Sequence, residues 1–199
     1  LTYDILVEPK EINRMVHIKK VFLTVFITIT SLLVCISLLS AKSPMRTVEG
    51  VVVKVTDGDT IKVETSERTI LRVRLYGIDA PETEKYSRRT GRISKAGQPY
   101  GEEAYRALES RILGKKVKVD IIDIDRYKRM VGIVYLDSGD INLEMVKKGW
   151  AWAYREYLKG SYASEYLDAE KEARAKKLGL WKQANPQPPW EFRRLMRIR

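Results

Sequence analysis

From Val48 the chain alternates apolar and polar positions with a period of two: "VEGVVVKVT", then "TIKVET" after "DGD", then "RTILRVRLYGI" after a polar turn at Ser66–Glu67. Strand side chains point alternately to the two faces of a sheet. This period therefore predicts three consecutive antiparallel strands, with the first hairpin turning near Asp57-Gly58. In the third strand Leu71, Val73 and Leu75 fall on one face, and Arg72 and Arg74 on the other. The stretch "EKYSRRTGRISKAGQP" has no apolar period and is expected to be a loop. "YGEEAYRALESRILGKK" switches to helical spacing, with Ala104, Tyr105, Leu108 and Ile112 as its stripe and Gly114 as its stop. "KVKVDIIDI" and "RMVGIVYLD" return to strand spacing across "DRYK", and "INLEMVKKG" gives a short helix. A last helix begins near Ser161, carries Tyr162, Tyr166, Ala169 and Ala173 on one face, and ends near Gly179.

Three strands, a helix, two strands and further helices predict an α+β chain dominated by a five-stranded barrel of the OB type, with about three helices. Residues 44–184 are expected to form that domain, and the proline-broken, basic segment 185–199 a tail. Trp150, Trp152 and Trp181 are expected in the core.

Residues 1–43 read differently. The run 21–40, "VFLTVFITITSLLVCISLLS", holds no charge and follows Lys19 and Lys20, the pattern of an export signal or of one membrane-spanning helix. Both readings stay open: Ala41 offers a cleavage point, but Leu39 is not the small residue preferred two positions earlier. Met15, before "VHIKK", is the expected start of this leader. Either way the domain is expected outside the cytoplasm, secreted, periplasmic or tethered.

The chain carries 37 Lys and Arg against 26 Asp and Glu, a formal net charge of +11, most of it outside the leader. Such an excess favours a polyanionic partner, nucleic acid or an anionic membrane surface. The only histidine, His17, and the only cysteine, Cys35, both lie in the leader. The domain therefore has no disulfide, no thiol nucleophile and no imidazole base, and a His/Cys zinc site is excluded. Its chemistry falls to carboxylates, Arg, Lys, Tyr and hydroxyls, and any metal would be a hard, oxygen-bound ion.

Two acidic knots lie at predicted strand ends: "DGDT", with Asp57 and Asp59, and "DAPE", with Asp79 and Glu82. Singly, each reads as ordinary turn chemistry. If the sheet brings them together, their repulsion calls for a counter-charge, which a hard cation supplies. Arg74 precedes one knot and Arg129 opens a later strand, and each reads singly as a surface ion pair. A carboxylate, a hard metal and two arginines together suit cleavage of a phosphodiester, with charge stabilised on the phosphoryl oxygens while the carboxylate handles a water proton.

The ordered set "VVVKVTDGDTIKV", "VRLYGIDAPET", "QPYGEEA", "DRYKRMVGIVYL", "INLEMVKKGWAWAY" and "AKKLGLW" resembles the staphylococcal nuclease (thermonuclease) family over residues 47–182. The resemblance implies an OB-fold barrel with three helices and Ca2+-dependent hydrolysis of DNA and RNA to 3′-phosphate ends. It places the calcium aspartates on Asp59 and Asp79, and a calcium-binding carbonyl on Ala80. The catalytic glutamate falls on Glu82, and the catalytic arginines on Arg74 and Arg129. The nucleotide-binding tyrosines resemble Tyr127 and Tyr154, and Arg126 matches a basic position facing a terminal phosphate. A monomer is expected, with no protein partner. The basic segment from Glu84 to Gly97 is longer than in the staphylococcal protein and reads as a phosphate-gripping or a solvated loop. A non-catalytic OB module binding nucleic acid is the alternative; loss of the acids or arginines would mark it, and all are present.

Overall fold

The computed structural model describes residues 19–20, 22–26 and 44–198. Residues 19–20 and 22–26 are helical and exposed; most of the apolar run 21–40, and the leader reading that rests on it, lies outside the described residues. Among the described residues no helix is long and apolar enough to cross a membrane.

The predicted first hairpin is β1 (Arg46–Asp57) and β2 (Thr60–Thr65), followed by β3 (Ile70–Leu75). All three pair antiparallel in sequence order, and Val52, Ile61, Val63, Val73 and Leu75 point inward. Next come two short strands, β4 (Ile78–Asp79) and β5 (Lys85–Tyr86), then β6 (Ile93–Lys95) and helix α1 (Gly101–Ile112). Strands β7 (Lys116–Ile124) and β8 (Met130–Leu136) form the second antiparallel hairpin, and β7 lies along the first half of β1. A parallel pairing of β3 with β8, Val73 opposite Met130 and Leu75 opposite Gly132, closes the five long strands into a barrel. The expected five-stranded OB-type barrel is therefore present, and closure removes its open edges. Register shifts in β1 between Val52 and Lys54 and between Val55 and Asp57 supply local bends of the kind closure needs.

After β9 (Gly139–Asp140), helix α2 (Ile141–Lys147) covers one side of β8, which is why Gly132, Ile133 and Val134 are buried in succession instead of alternating. Asp140 caps α2 by accepting from the Leu143 N–H at 3.0 Å. The fully buried Asn142 fastens the helix to the barrel. Its Oδ1 accepts from the Val134 N–H at 3.1 Å, and its Nδ2 donates to the carbonyls of Tyr76 at 3.0 Å and Gly132 at 3.1 Å.

Strand β10 (Trp152–Ala153) pairs with β4, and helix α3 (Ser161–Ala175) packs Tyr166, Ala169 and Ala173 inward. Trp152 and Trp181 are buried as expected, with the Arg174 guanidinium over both rings at 4.6 and 3.9 Å. Two expectations need correction. Part of the segment read as a loop forms the β5–β6 hairpin. The segment read as a tail contains a helix, α4 (Pro189–Ile198), in addition to the three predicted. Its prolines do not oppose this, because Pro189 occupies the first helical position, where its missing N–H has no intrahelical partner to lose.

Replacing Asn142 by Leu would take their side-chain partner from the Val134 N–H and the Tyr76 carbonyl inside the protein, while the Gly132 carbonyl would keep the Tyr76 N–H at 2.8 Å. At about 1–3 kcal/mol for a buried unsatisfied group, with partial relaxation, a loss of about 3 kcal/mol is expected. Urea unfolding followed by circular dichroism measures it; a loss under about 1 kcal/mol would refute the role given to Asn142.

Candidate active site

The two acidic knots meet because of strand register. Thr60 opens β2 opposite Arg74 near the end of β3, so the "DGD" turn lies beside the chain leaving β3. The Leu75 N–H donates to the Asp59 carbonyl at 2.9 Å, which ties the two together. The chain then turns through Gly77 into β4, where Asp79 sits opposite Trp152 of β10. Gly58 has no room for a side chain: a Cβ there would come within 2.8 Å of the Ala80 Cβ. Gly101, at the start of α1, is held to a hydrogen side chain by the Glu82 carbonyl, 2.2 Å from where its Cβ would stand. Both glycines let the acidic turns and α1 close on one another.

Arg74 is the centre of the cluster. One amino group pairs with Asp59, and the other donates to Asp79 Oδ1 at 2.6 Å and to the Ile78 carbonyl at 3.3 Å. Asp79 is 0% and Asp59 4% exposed. Asp59 also accepts from the Ala80 N–H at 3.0 Å and the Thr60 hydroxyl at 2.9 Å. Burial pushes the Asp59 carboxyl up, but the Arg74 guanidinium and the Ala80 N–H outweigh it and hold the group below its usual range. Burial works against the Arg74 charge too, and the two aspartates overcome it, so the guanidinium is firmly protonated.

Asp57 behaves oppositely. Burial, followed by the Asp59 charge, raises its pKa although Lys85 pairs with it at 2.7 Å. It also accepts from the Thr83 N–H at 3.2 Å and hydroxyl at 3.0 Å, bracing the turn that carries Glu82. The Glu82 backbone is clamped by Gln98, whose side chain accepts from the Glu82 N–H at 3.1 Å and whose N–H donates to the Glu82 carbonyl at 2.8 Å. The Glu82 carboxylate pairs with Lys95 and, at 3.0 Å, with Arg193. Arg193 also donates to both oxygens of Asp79, at 3.0 and 2.7 Å.

The structure thus brings Asp59, Arg74, Asp79, Ala80 and Glu82 together. Tyr154 follows β10 at the edge of the same cluster; burial and then the Asp79 charge raise its pKa, and its ring stacks on Trp190 with centroids 5.1 Å apart. Arg129 stands at the start of β8, one residue before the partner of Val73, but its Nε donates to Asp125 at 2.7 Å. Arg126 and Tyr127 are exposed on the β7–β8 turn, and both Arg126 and Arg129 lie over the Tyr127 ring, at 4.9 and 5.4 Å. These three form a basic and aromatic group on that turn. Lys85, Lys95 and Arg193 were missed by sequence reasoning. The first two were read as facing solvent or substrate, and Arg193 as part of the tail.

A hard divalent cation needs oxygen donors and negative charge, and two buried aspartates sharing one guanidinium offer both. Among the described residues, no group of three acidic side chains is arranged to hold a metal ion. The negative charge is met by guanidinium and ammonium groups instead. The donor chemistry fits such an ion, on the condition that some of these cations give way.

The family model described as "Staphylococcal nuclease homologue" matches residues 72–183. An "Uncharacterized endonuclease" of Haemophilus influenzae is 38% identical over 172 residues, covering 86% of this chain and 87% of that protein. "Micrococcal nuclease" of Shigella flexneri is 41% identical over 154 residues, covering 73% of this chain and 80% of its own length. An "Uncharacterized endonuclease" of Escherichia coli O157:H7 is 39% identical over 147 residues, covering 73% of this chain and 85% of its own length.

Because the folded pKa of Asp59 lies below the ordinary 3.8, its ionised form stabilises the fold above that pH, and the contribution is lost as pH falls through the lowered value. In metal-free buffer, Asp59→Asn is expected to be about 2 kcal/mol less stable than the unaltered protein at pH 7. The gap should begin to narrow below about pH 4 and go on closing as pH falls through the lowered folded pKa. Urea unfolding across that range checks it; a gap independent of pH would refute the assignment.

Proposed function

We propose, from the premise that this chain belongs to the staphylococcal nuclease family and is a nuclease of the thermonuclease type, that it hydrolyses DNA and RNA in a Ca2+-dependent reaction leaving 3′-phosphate ends. The observation that carries this reading is the buried arginine shared by two aspartates with Glu82 alongside. That combination of carboxylates and guanidinium suits phosphodiester hydrolysis without histidine. The absence of any His or Cys after residue 43 is consistent with it.

In this reading Arg74 and Arg129 grip the non-bridging oxygens of the scissile phosphate. Guanidinium stays charged and matches two phosphate oxygens at once. Glu82 accepts a proton from water as the water oxygen bonds to phosphorus. The P–O5′ bond breaks, its electron pair leaves with the 5′ oxygen, which takes a proton from solvent, and the phosphate remains on the 3′ oxygen. Asp59, Asp79 and the Ala80 carbonyl are the residues that would hold Ca2+, whose charge would stabilise the developing phosphoryl charge. Arg126, Tyr127 and Tyr154 would bind the nucleotides flanking the cut, through charge and ring stacking. The exposed Arg88, Arg89 and Arg92 of the β5–β6 turn would add contacts to the phosphate backbone, and with them a strong salt dependence. The apolar run 21–40 would export the domain or tether it outside the cytoplasm.

Incubation of the purified protein with DNA and RNA, with Ca2+ or with chelator, tests the reaction. Degradation only with Ca2+ is expected, with a loss of about a hundredfold or more in kcat for Arg74→Ala and for Glu82→Gln. Undiminished cleavage in chelator would overturn the Ca2+ assignment, and unchanged rates in both variants the residue assignment. Mass analysis of the protein recovered from cells should place it outside the cytoplasm, cleaved near residue 41 or with its leader intact; recovery only from the cytoplasm would overturn export.

A further inference from the structure

Four carboxylates line the cluster, and four cations already answer them: Lys85 on Asp57, Arg74 on Asp59 and Asp79, Lys95 on Glu82, and Arg193 on Asp79 and Glu82. The cluster as folded is close to neutral. A divalent cation added to it would leave an excess of two positive charges in a largely buried space, which is strongly unfavourable unless resident cations leave. Arg74 is fixed within the barrel wall, on β3. Arg193 comes from the last helix of the chain, and of the four it is the one that takes both oxygens of Asp79.

Arg193 is not the only part of α4 at the site. Trp190 lies parallel to Tyr154, with an interplanar angle of 1°, so one face of the ring expected to stack on a nucleobase is already covered. It also meets Trp152 edge-on at 5.5 Å. Between them, these two residues of one helix engage Asp79, Glu82 and Tyr154. In the function proposed above, the metal needs Asp79, the attacking water Glu82 and the nucleotide Tyr154.

The seat of the helix is also incompletely filled. A cavity of about 220 Å³ lies against it, lined by Pro81, Gln98, Trp152, Gln187 and Phe192 among others. Leu195 and Met196 on α4 are exposed. The segment before the helix is held by a hydrogen bond from Gln98 to the Gln187 carbonyl at 3.2 Å. The helix is held by the Arg193 guanidinium, by Trp190 against Tyr154 and the small cluster of Trp152, Leu180 and Trp181, and by a partly empty seat. None of these is part of the barrel core, so the helix can be released without unfolding the barrel.

We propose that α4 is an internal occupant of the active site, with Arg193 standing in for the metal on Asp79 and tying up the Glu82 carboxylate, and Trp190 standing in for a nucleobase on Tyr154. Ca2+ and nucleic acid must displace it, so the resting enzyme is latched and opens as its metal and substrate arrive. This rests on the reading that Asp59 and Asp79 hold Ca2+.

The test is calorimetric titration of Ca2+ into the full chain and into Arg193→Ala, with amide hydrogen exchange of residues 189–198 followed in parallel. An occupant that must leave reduces apparent affinity to the intrinsic value times the fraction unlatched, so with about one molecule in ten open, Arg193→Ala is expected to bind Ca2+ about tenfold tighter or more. In the unaltered protein, exchange across α4 should speed up at saturating Ca2+. Trp190→Ala, which leaves the carboxylates untouched, should bind a single-stranded phosphorothioate oligonucleotide more tightly. Equal or weaker Ca2+ affinity in Arg193→Ala, or α4 amides that stay protected at saturating Ca2+, would overturn the latch while leaving the metal reading intact. Ca2+ binding that survives in Asp79→Asn, or that is absent from both the unaltered protein and Arg193→Ala, would overturn the metal reading and the latch with it.

Discussion

The arrangement depends on one buried guanidinium. Asp59 and Asp79 come from different turns, and both are almost wholly removed from water, where two unshared negative charges would not be tolerated. Arg74 lets them coexist, and in doing so fixes the spacing of the turn after β1 relative to the turn after β3. The barrel register brings the partners opposite one another, the Ala80 N–H completes the acceptance at Asp59, and Gly58 admits the close approach. Taking the guanidinium out of a buried arrangement of this kind, which leaves the carboxylates uncompensated, typically costs about 3–5 kcal/mol. The site is therefore a structural element of the fold as well as its chemical centre.

Charge is deployed at two scales. The net excess of +11 makes the molecule attractive to nucleic acid at a distance. Within the cluster, four acids are neutralised by cations drawn from β3, the β5–β6 hairpin and α4. A basic protein can thus hold a compact acidic site without repelling phosphate, because the acids never face solvent uncompensated. Protonation follows the same logic: Asp59, close to a fixed arginine, is held ionised, while Asp57, answered by a half-exposed lysine, is pushed up by burial and by Asp59 itself.

Much of this was legible along the chain because its causes are local. Alternation announced β1, β2, β3, β7 and β8, and helical stripes announced α1 and α3. The two acidic knots stood out as turn residues that a single sheet could bring together. The parallel closure of β3 on β8 was not legible, since neither strand's period reveals which distant edge it meets. The inward direction of Lys85 and Lys95 was hidden for a similar reason: a basic segment looks the same whether its amines face water or buried carboxylates. Helix α4 was misread because three prolines were taken as a break, when Pro189 is a favourable helix start and the spacing of Trp190 and Arg193 follows one helical turn. Arg129 could be placed by its motif, at the start of β8, but the Asp125 carboxylate that holds its Nε could not, because that pairing is set by the β7–β8 turn.

The most direct measurement is a structure determined from crystals grown with Ca2+ and a short single-stranded oligonucleotide. The metal should lie between Asp59 and Asp79 with the Ala80 carbonyl among its ligands, and the guanidinium of Arg193 should have left Asp79. Crystals that retain Arg193 on both oxygens of Asp79, with no metal on either aspartate, would contradict it.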